Sequence, residues 1–163
     1  MKIVILNSGS SSIKYQLIEM PAQTVVCSGM IDRIGLDNSN LSYTTENNKI
    51  EEIVAIPNHT IGLEKIADLL LDEKVGVIKS TSEIQAVGHR VVHGGSTFSD
   101  TVVITDAVKD KIKQLFDLAP LHNPANLEGI TVAETIFSEA QQVAVFDTAF
   151  HQTIPVVAHK YAI

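Results

Sequence analysis

A chain of 163 residues has the length of one domain and can bury roughly two-thirds of its unfolded surface. With 45% hydrophobic and 19% charged residues it is neither disordered nor fibrous. The net charge of −7, with twelve Lys and Arg scattered along the chain, argues against a duplex nucleic acid partner, whose affinity rests on neutralising phosphates.

Cys27 is the single cysteine, so no intrachain disulfide forms and a reducing, cytoplasmic setting fits. It reads as a small buried hydrophobe and not as a nucleophile. No apolar run approaches the roughly 18 residues of a membrane span, so a soluble protein without a membrane partner is expected.

Taken in order, Ile3, Val4, Ile5 and Leu6 form an apolar run that predicts a strand buried on both faces. Six small or polar residues follow, and then Ile13, Tyr15 and Leu17 alternate with polar partners as a returning strand. A turn without bulky side chains leaves its N–H groups free to converge on an anion, and serine hydroxyls add donors. Lys14 alternates away from Ile13 and Tyr15, which lets its ammonium lie over that turn. An ordinary solvated hairpin uses the same residue types. A P-loop is excluded, because Ile13 precedes the lysine and Tyr15 follows it in a strand.

Residues 24–31 predict a third strand, 35–40 a turn, and 41–45 with 50–56 a hairpin around Asn47-Asn48. Ile61, Leu63, Ile66, Ala67 and Leu70 recur at helical spacing after Pro57-Asn58. Residues 84–93 read as a strand closed by Gly94-Gly95. Thr105 can cap a helix buried through Val108, Ile112, Leu115 and Phe116. Asn123-Pro124 reads as a cap and first turn, followed by a helix through Leu127, Ile130, Ala133 and Phe137. Residues 142–146 predict a last buried strand. Strands in a block, then strands alternating with helices, predict an α/β domain with a mixed sheet. Apolar residues persist to Ile163, without the polar tail that usually ends a domain, so an incomplete chain is expected.

Four segments carry candidate chemistry. In Gly88-His89-Arg90-Val91-Val92-His93-Gly94-Gly95, strand alternation puts Gly88, Arg90 and Val92 on one face and both histidines on the other. A guanidinium beside a valine suits a small carboxylate with a short apolar tail, although a structural arginine is the plainer alternative. Zinc is disfavoured, since residues four apart in a strand lie roughly 13 Å apart. His122 precedes a helix N-terminus, where it can donate to an anion or serve as a poor cap. Asp147 stands at the carboxyl end of a strand, the edge where open α/β sheets bind ligands. It could hold Mg²⁺ through water or cap a turn.

Asn7-Ser8-Gly9-Ser10-Ser11-Ser12-Ile13-Lys14, the Arg90 segment, Leu118-Ala119-Pro120-Leu121-His122-Asn123-Pro124-Ala125-Asn126 and Phe146-Asp147-Thr148-Ala149-Phe150-His151 resemble, in this order, four motifs of the acetate kinases. The resemblance spans nearly the whole chain. It implies the actin-like ATPase (ribonuclease H-like) fold, with a mixed sheet flanked by helices. It implies phosphoryl transfer from ATP to acetate, giving acetyl phosphate and ADP, with Mg²⁺ and usually in a homodimer. It further implies Asn7 at the magnesium site, Ser10, Ser12 and Lys14 in the phosphate loop and Arg90 at the substrate. Val92 and Leu121 match the methyl pocket, His122 the transferring phosphate and Asp147 the catalytic aspartate. Family chains are more than twice this length, so the expectation is an N-terminal domain over 1–163 that lacks its C-terminal ATPase domain and is inactive alone. Propionate or butyrate kinase of the same family is the alternative, and a binding-only half domain is another. Acetate is already ionised at neutral pH, so Asp147 is expected to hold Mg²⁺ or its waters and not to act as a base.

Overall fold

The computed structural model describes residues 1–150 and 154–159; the readings that touch His151 and residues 161–163 lie outside them. One eight-stranded sheet runs through the molecule in the order β5-β4-β3-β2-β1-β6-β8-β7. Strands β1 (Lys2–Ser8), β2 (Ser12–Glu19), β3 (Thr24–Asp32), β4 (Ser39–Thr45) and β5 (Lys49–Val54) form an antiparallel meander. Helix α1 (His59–Leu71) leads to β6 (Ile84–Val91), which runs parallel to β1. The short β7 (Val102–Val103), α2 (Asp106–Gln114) and α3 (Asn123–Ile136) precede β8 (Gln141–Phe146), parallel to β6. A short helix, α4, covers Val156–His159. The expected mixed α/β sheet is present.

One face of the sheet is the core. Val4, Leu6, Ile13, Tyr15, Leu17, Ile31 and Tyr43 are buried there with Leu63, Ile66 and Leu70 of α1 and with Ala133 of α3. A second cluster, Val91, Ile112, Ile130, Ala144 and Phe146, seats α2 and α3 over β6 and β8. Cys27 is buried in the first cluster, and burial pushes its thiol up to about 11, consistent with an inert small hydrophobe.

Several boundaries differ from expectation. The β1 run is buried on one face only, since Ile5 is 39% exposed on the other; four apolar residues in a row do not reveal that one face is left uncovered. Strand β6 stops at Val91, so Val92 and His93 follow it and do not extend its alternation. Helix α2 ends at Gln114, leaving Leu115 as its C-cap and Phe116 in a short 3₁₀ turn, Phe116–Leu118. Helix α3 takes His122 as N-cap, with no side-chain bond; Asn123 is the first helical residue. Phe137 follows α3 as its C-cap. Val145 in β8 is half-exposed. Strand β7, with only two residues, carries no periodic signal to read.

Candidate active site

Strand register assembles the site. In the antiparallel β1–β2 pair Asn7 sits opposite Lys14. In the parallel β1–β6 pair Leu6 sits beside His89, which carries Arg90 on to the level of Asn7, and Arg90 pairs with Val145 of β8, two residues before Asp147. Period-two alternation therefore places Asn7, Lys14 and Arg90 on the open face of the sheet, at the carboxyl ends of β1 and β6. Asp147 begins a 3₁₀ turn, Asp147–Ala149, directly after β8.

The Arg90 guanidinium grips Asp147 side-on. Its Nε donates to Oδ1 at 2.9 Å and its Nη2 to Oδ2 at 2.6 Å, while Nη1 donates to Asn7 Oδ1 at 3.2 Å. This hydrogen bonding raises the already high pKa of Arg90, so the cation is permanent. The two side chains remain 46% and 40% exposed, and a pair so open to water contributes no more than about 1 kcal/mol. A ligand or cation could displace one partner at little cost. Asn7 and Asp147 offer hard oxygen donors with water access, a set that fits Mg²⁺ when phosphate and water complete its shell. Among the described residues no three His, Cys, Asp or Glu side chains form a metal cluster.

The turn between β1 and β2 is shorter than the sequence suggests, only residues 9–11, and it is held from behind. Gly9 N–H donates to Ser12 C=O at 2.8 Å, and Ile34 N–H to Ser11 C=O at 2.9 Å. The buried His59 ring donates from Nε2 to Gly9 C=O at 2.6 Å. A trans peptide opposes its C=O and N–H, so drawing Gly9 C=O toward His59 turns the Ser10 N–H the other way. Ser10 is exposed and Ser12 half-buried. The buried Ser8 hydroxyl faces Gly129 of α3, where any side chain would collide with it. Glycine there lets the helix approach the turn.

His93 leaves the expected strand face: its Nδ1 accepts from Gly95 N–H at 2.9 Å, in a turn that Gly95 closes at φ +62°. His89 is buried and donates to Gln142 Oε1 at 2.8 Å, and burial lowers its pKa. Neither histidine is available to a metal through the bonded nitrogen. His122 is exposed at the start of α3. Val92 is half-buried and Leu121 is 72% exposed, so Leu121 lines no enclosed pocket within this chain. Beside Asn7 and Lys14 an open groove of about 410 Å³ also takes in Ile5, Gln16, Met30 and Ser42. A larger hollow of about 840 Å³, around Lys2, Asp72 and Glu83 at the other end of β1, holds none of the motif residues.

Sequence reading missed the supporting residues. His59 gave no signal, Thr148 accepts from Gly94 N–H at 3.0 Å across 54 positions, and Asn123 and Asn126 bond backbone far from α3. Only the i, i+3 spacing of the two asparagines could have pointed to a shared face.

An actin-like α/β domain with Arg, Asp and Asn converging at the carboxyl edge of its sheet is the class defined by fold and site. The chain belongs to the acetokinase family, whose profile matches residues 2–163. It is 71% identical, over its whole length, to an acetate kinase of Flavobacterium johnsoniae, of which it covers 41%. The crystal structure of Porphyromonas gingivalis acetate kinase superposes with a TM-score of 0.91 at 48% identity, over 99% of this chain and 41% of that one. A propionate kinase from Francisella tularensis gives 0.86 at 41% identity, with the same coverage. The chain thus spans about two-fifths of these relatives' length.

Proposed function

We propose that this chain forms the acetate-binding and phosphate-facing wall of an acetate kinase, which transfers the terminal phosphoryl group of ATP to acetate. The observation that carries this reading is the Asn7–Arg90–Asp147 cluster beside the serine turn, in a chain of this family. An acetate oxygen forms the new bond to phosphorus as the bridging oxygen of ADP leaves, so the protein's task is alignment and charge neutralisation. Arg90, held in plane by Asp147, has N–H groups left to orient the acetate carboxylate. Lys14, His122, the outward Ser10 N–H and the hydroxyl groups of Ser10 and Ser12 stabilise the phosphoryl oxygens as charge develops. Val92 and Leu121 contact the methyl group once the cleft is closed. Asn7 and Asp147 hold Mg²⁺, which when bound supplies charge neutralisation at the phosphates. No general base is required, because acetate is already ionised.

The rest of the longer protein would supply the nucleotide-binding wall, and a homodimer its working form. The test is a hydroxylamine trap of acetyl phosphate made by the full-length gene product from ATP and acetate. Hydroxamate formation with acetate preferred over propionate and butyrate is expected. Absence of hydroxamate would remove the reading, and a higher kcat/KM for propionate would reassign the acceptor.

A further inference from the structure

Asn123 and Asn126 open α3 one turn apart, and both are buried, at 0% and 3% exposure. Neither amide caps its own helix. Asn123 Oδ1 accepts from His93 N–H at 3.1 Å while its Nδ2 donates to His93 C=O at 3.1 Å, so one side chain satisfies both backbone groups of one residue. Asn126 Oδ1 accepts from Val92 N–H at 3.1 Å, and its Nδ2 donates to Ser8 C=O at 2.6 Å. Past Val91 the strand has ended, and backbone groups buried there need partners that the sheet no longer provides. An asparagine amide offers one acceptor and one donor side by side, as a neighbouring strand would.

We infer that Asn123 and Asn126 are positioning residues for phosphoryl transfer: they join the segment that follows Arg90 to the serine turn and so fix the spacing between substrate arginine and phosphate loop. Asn126 is the joint, since its two atoms reach chain segments 84 positions apart in sequence, Ser8 and Val92. The inference rests on the acetate kinase reading above.

Asn126→Asp separates the two halves of the joint, because a carboxylate still accepts from Val92 N–H but cannot donate to Ser8 C=O. In the full-length gene product this variant is expected to lower kcat by on the order of a hundredfold, the scale for a misplacement of about 1 Å, with the acetate KM near wild type. Asn123→Ala is expected to raise the acetate KM, since it frees the segment next to Arg90. Amide hydrogen exchange provides a readout independent of turnover. Asn126→Asp should speed exchange in residues 9–12 and spare 92–94, whereas Asn126→Ala should speed both. If Asn126→Ala does not fold, the Asp variant decides alone. A lower melting temperature with kcat, KM and the exchange pattern unchanged would overturn the inference. Wild-type protein without turnover would overturn the acetate kinase reading, while the exchange pattern would still decide whether the joint exists.

Discussion

Arg90 binds two partners that are 83 and 57 positions away in the chain, Asn7 and Asp147. It stands out in the sequence as one of only two arginines in the chain and as a residue near a predicted strand end, yet nothing in the sequence pairs it with Asp147. Arg90→Ala in the full-length gene product should raise the acetate KM and depress kcat; steady-state kinetics with an unchanged acetate KM would take Arg90 out of the substrate site. Asp147→Asn should lose magnesium-dependent rate by orders of magnitude, with thermal stability nearly unmoved, because a half-exposed ion pair contributes about 1 kcal/mol or less. Activity at wild-type level across a magnesium titration would contradict that role. His89 makes a separate claim about acid stability. Its folded pKa lies below the ordinary 6.5 because burial disfavours the imidazolium. Above that value both states are neutral and the group contributes nothing to the pH dependence. Below it the unfolded chain takes up a proton that the native site resists, so stability falls as pH falls. Denaturant melts of wild type and His89→Gln should diverge in slope below about pH 6.5, and parallel profiles would show that His89 does not titrate against folding.

At the scale of elements, the sequence located nearly every strand and helix but misplaced their ends where tertiary contacts set them. Helix α1 begins where expected because its start signal is local: the Asn58 side chain accepts from Ile61 N–H at 2.9 Å. Asn58→Ala should therefore cost about 1 kcal/mol, read as a lower denaturation midpoint, and no change would show that the helix start is held by packing instead. The end of β6 is the opposite case. Its apolar run continues through Val92, but the amides of Asn123 and Asn126 take the backbone partners that a further strand residue would need. Asn123-Pro124 signals a helix start correctly, yet the asparagine is drawn into the core to bind His93 and leaves the cap position to His122. A short polar residue that looks like a cap becomes something else when a buried segment competes for its amide.

For the molecule as a whole, the covered face of the sheet carries the core and the open face carries Asn7, Lys14 and Arg90, the residues proposed for the chemistry. The site is a shelf at one edge and not an enclosed cavity, with Leu121 and His122 exposed. An open shelf cannot exclude water or complete a phosphate clamp. The 163-residue chain assayed alone for acetyl hydroxamate should show no turnover, and a longer gene product that contains it should show turnover; turnover by the isolated chain would show that this wall suffices. Motif order, the mixed α/β class and the identities of Asn7, Lys14, Arg90 and Asp147 were determined by the sequence, because turn chemistry and period-two alternation are local properties written in neighbouring residues. Which side of the sheet stays bare, the grip of Arg90 on Asp147 and the two asparagines behind the cleft were decided only by tertiary structure. Those features depend on strand order and register, which bring residues more than fifty positions apart within hydrogen-bond reach and which no local pattern encodes.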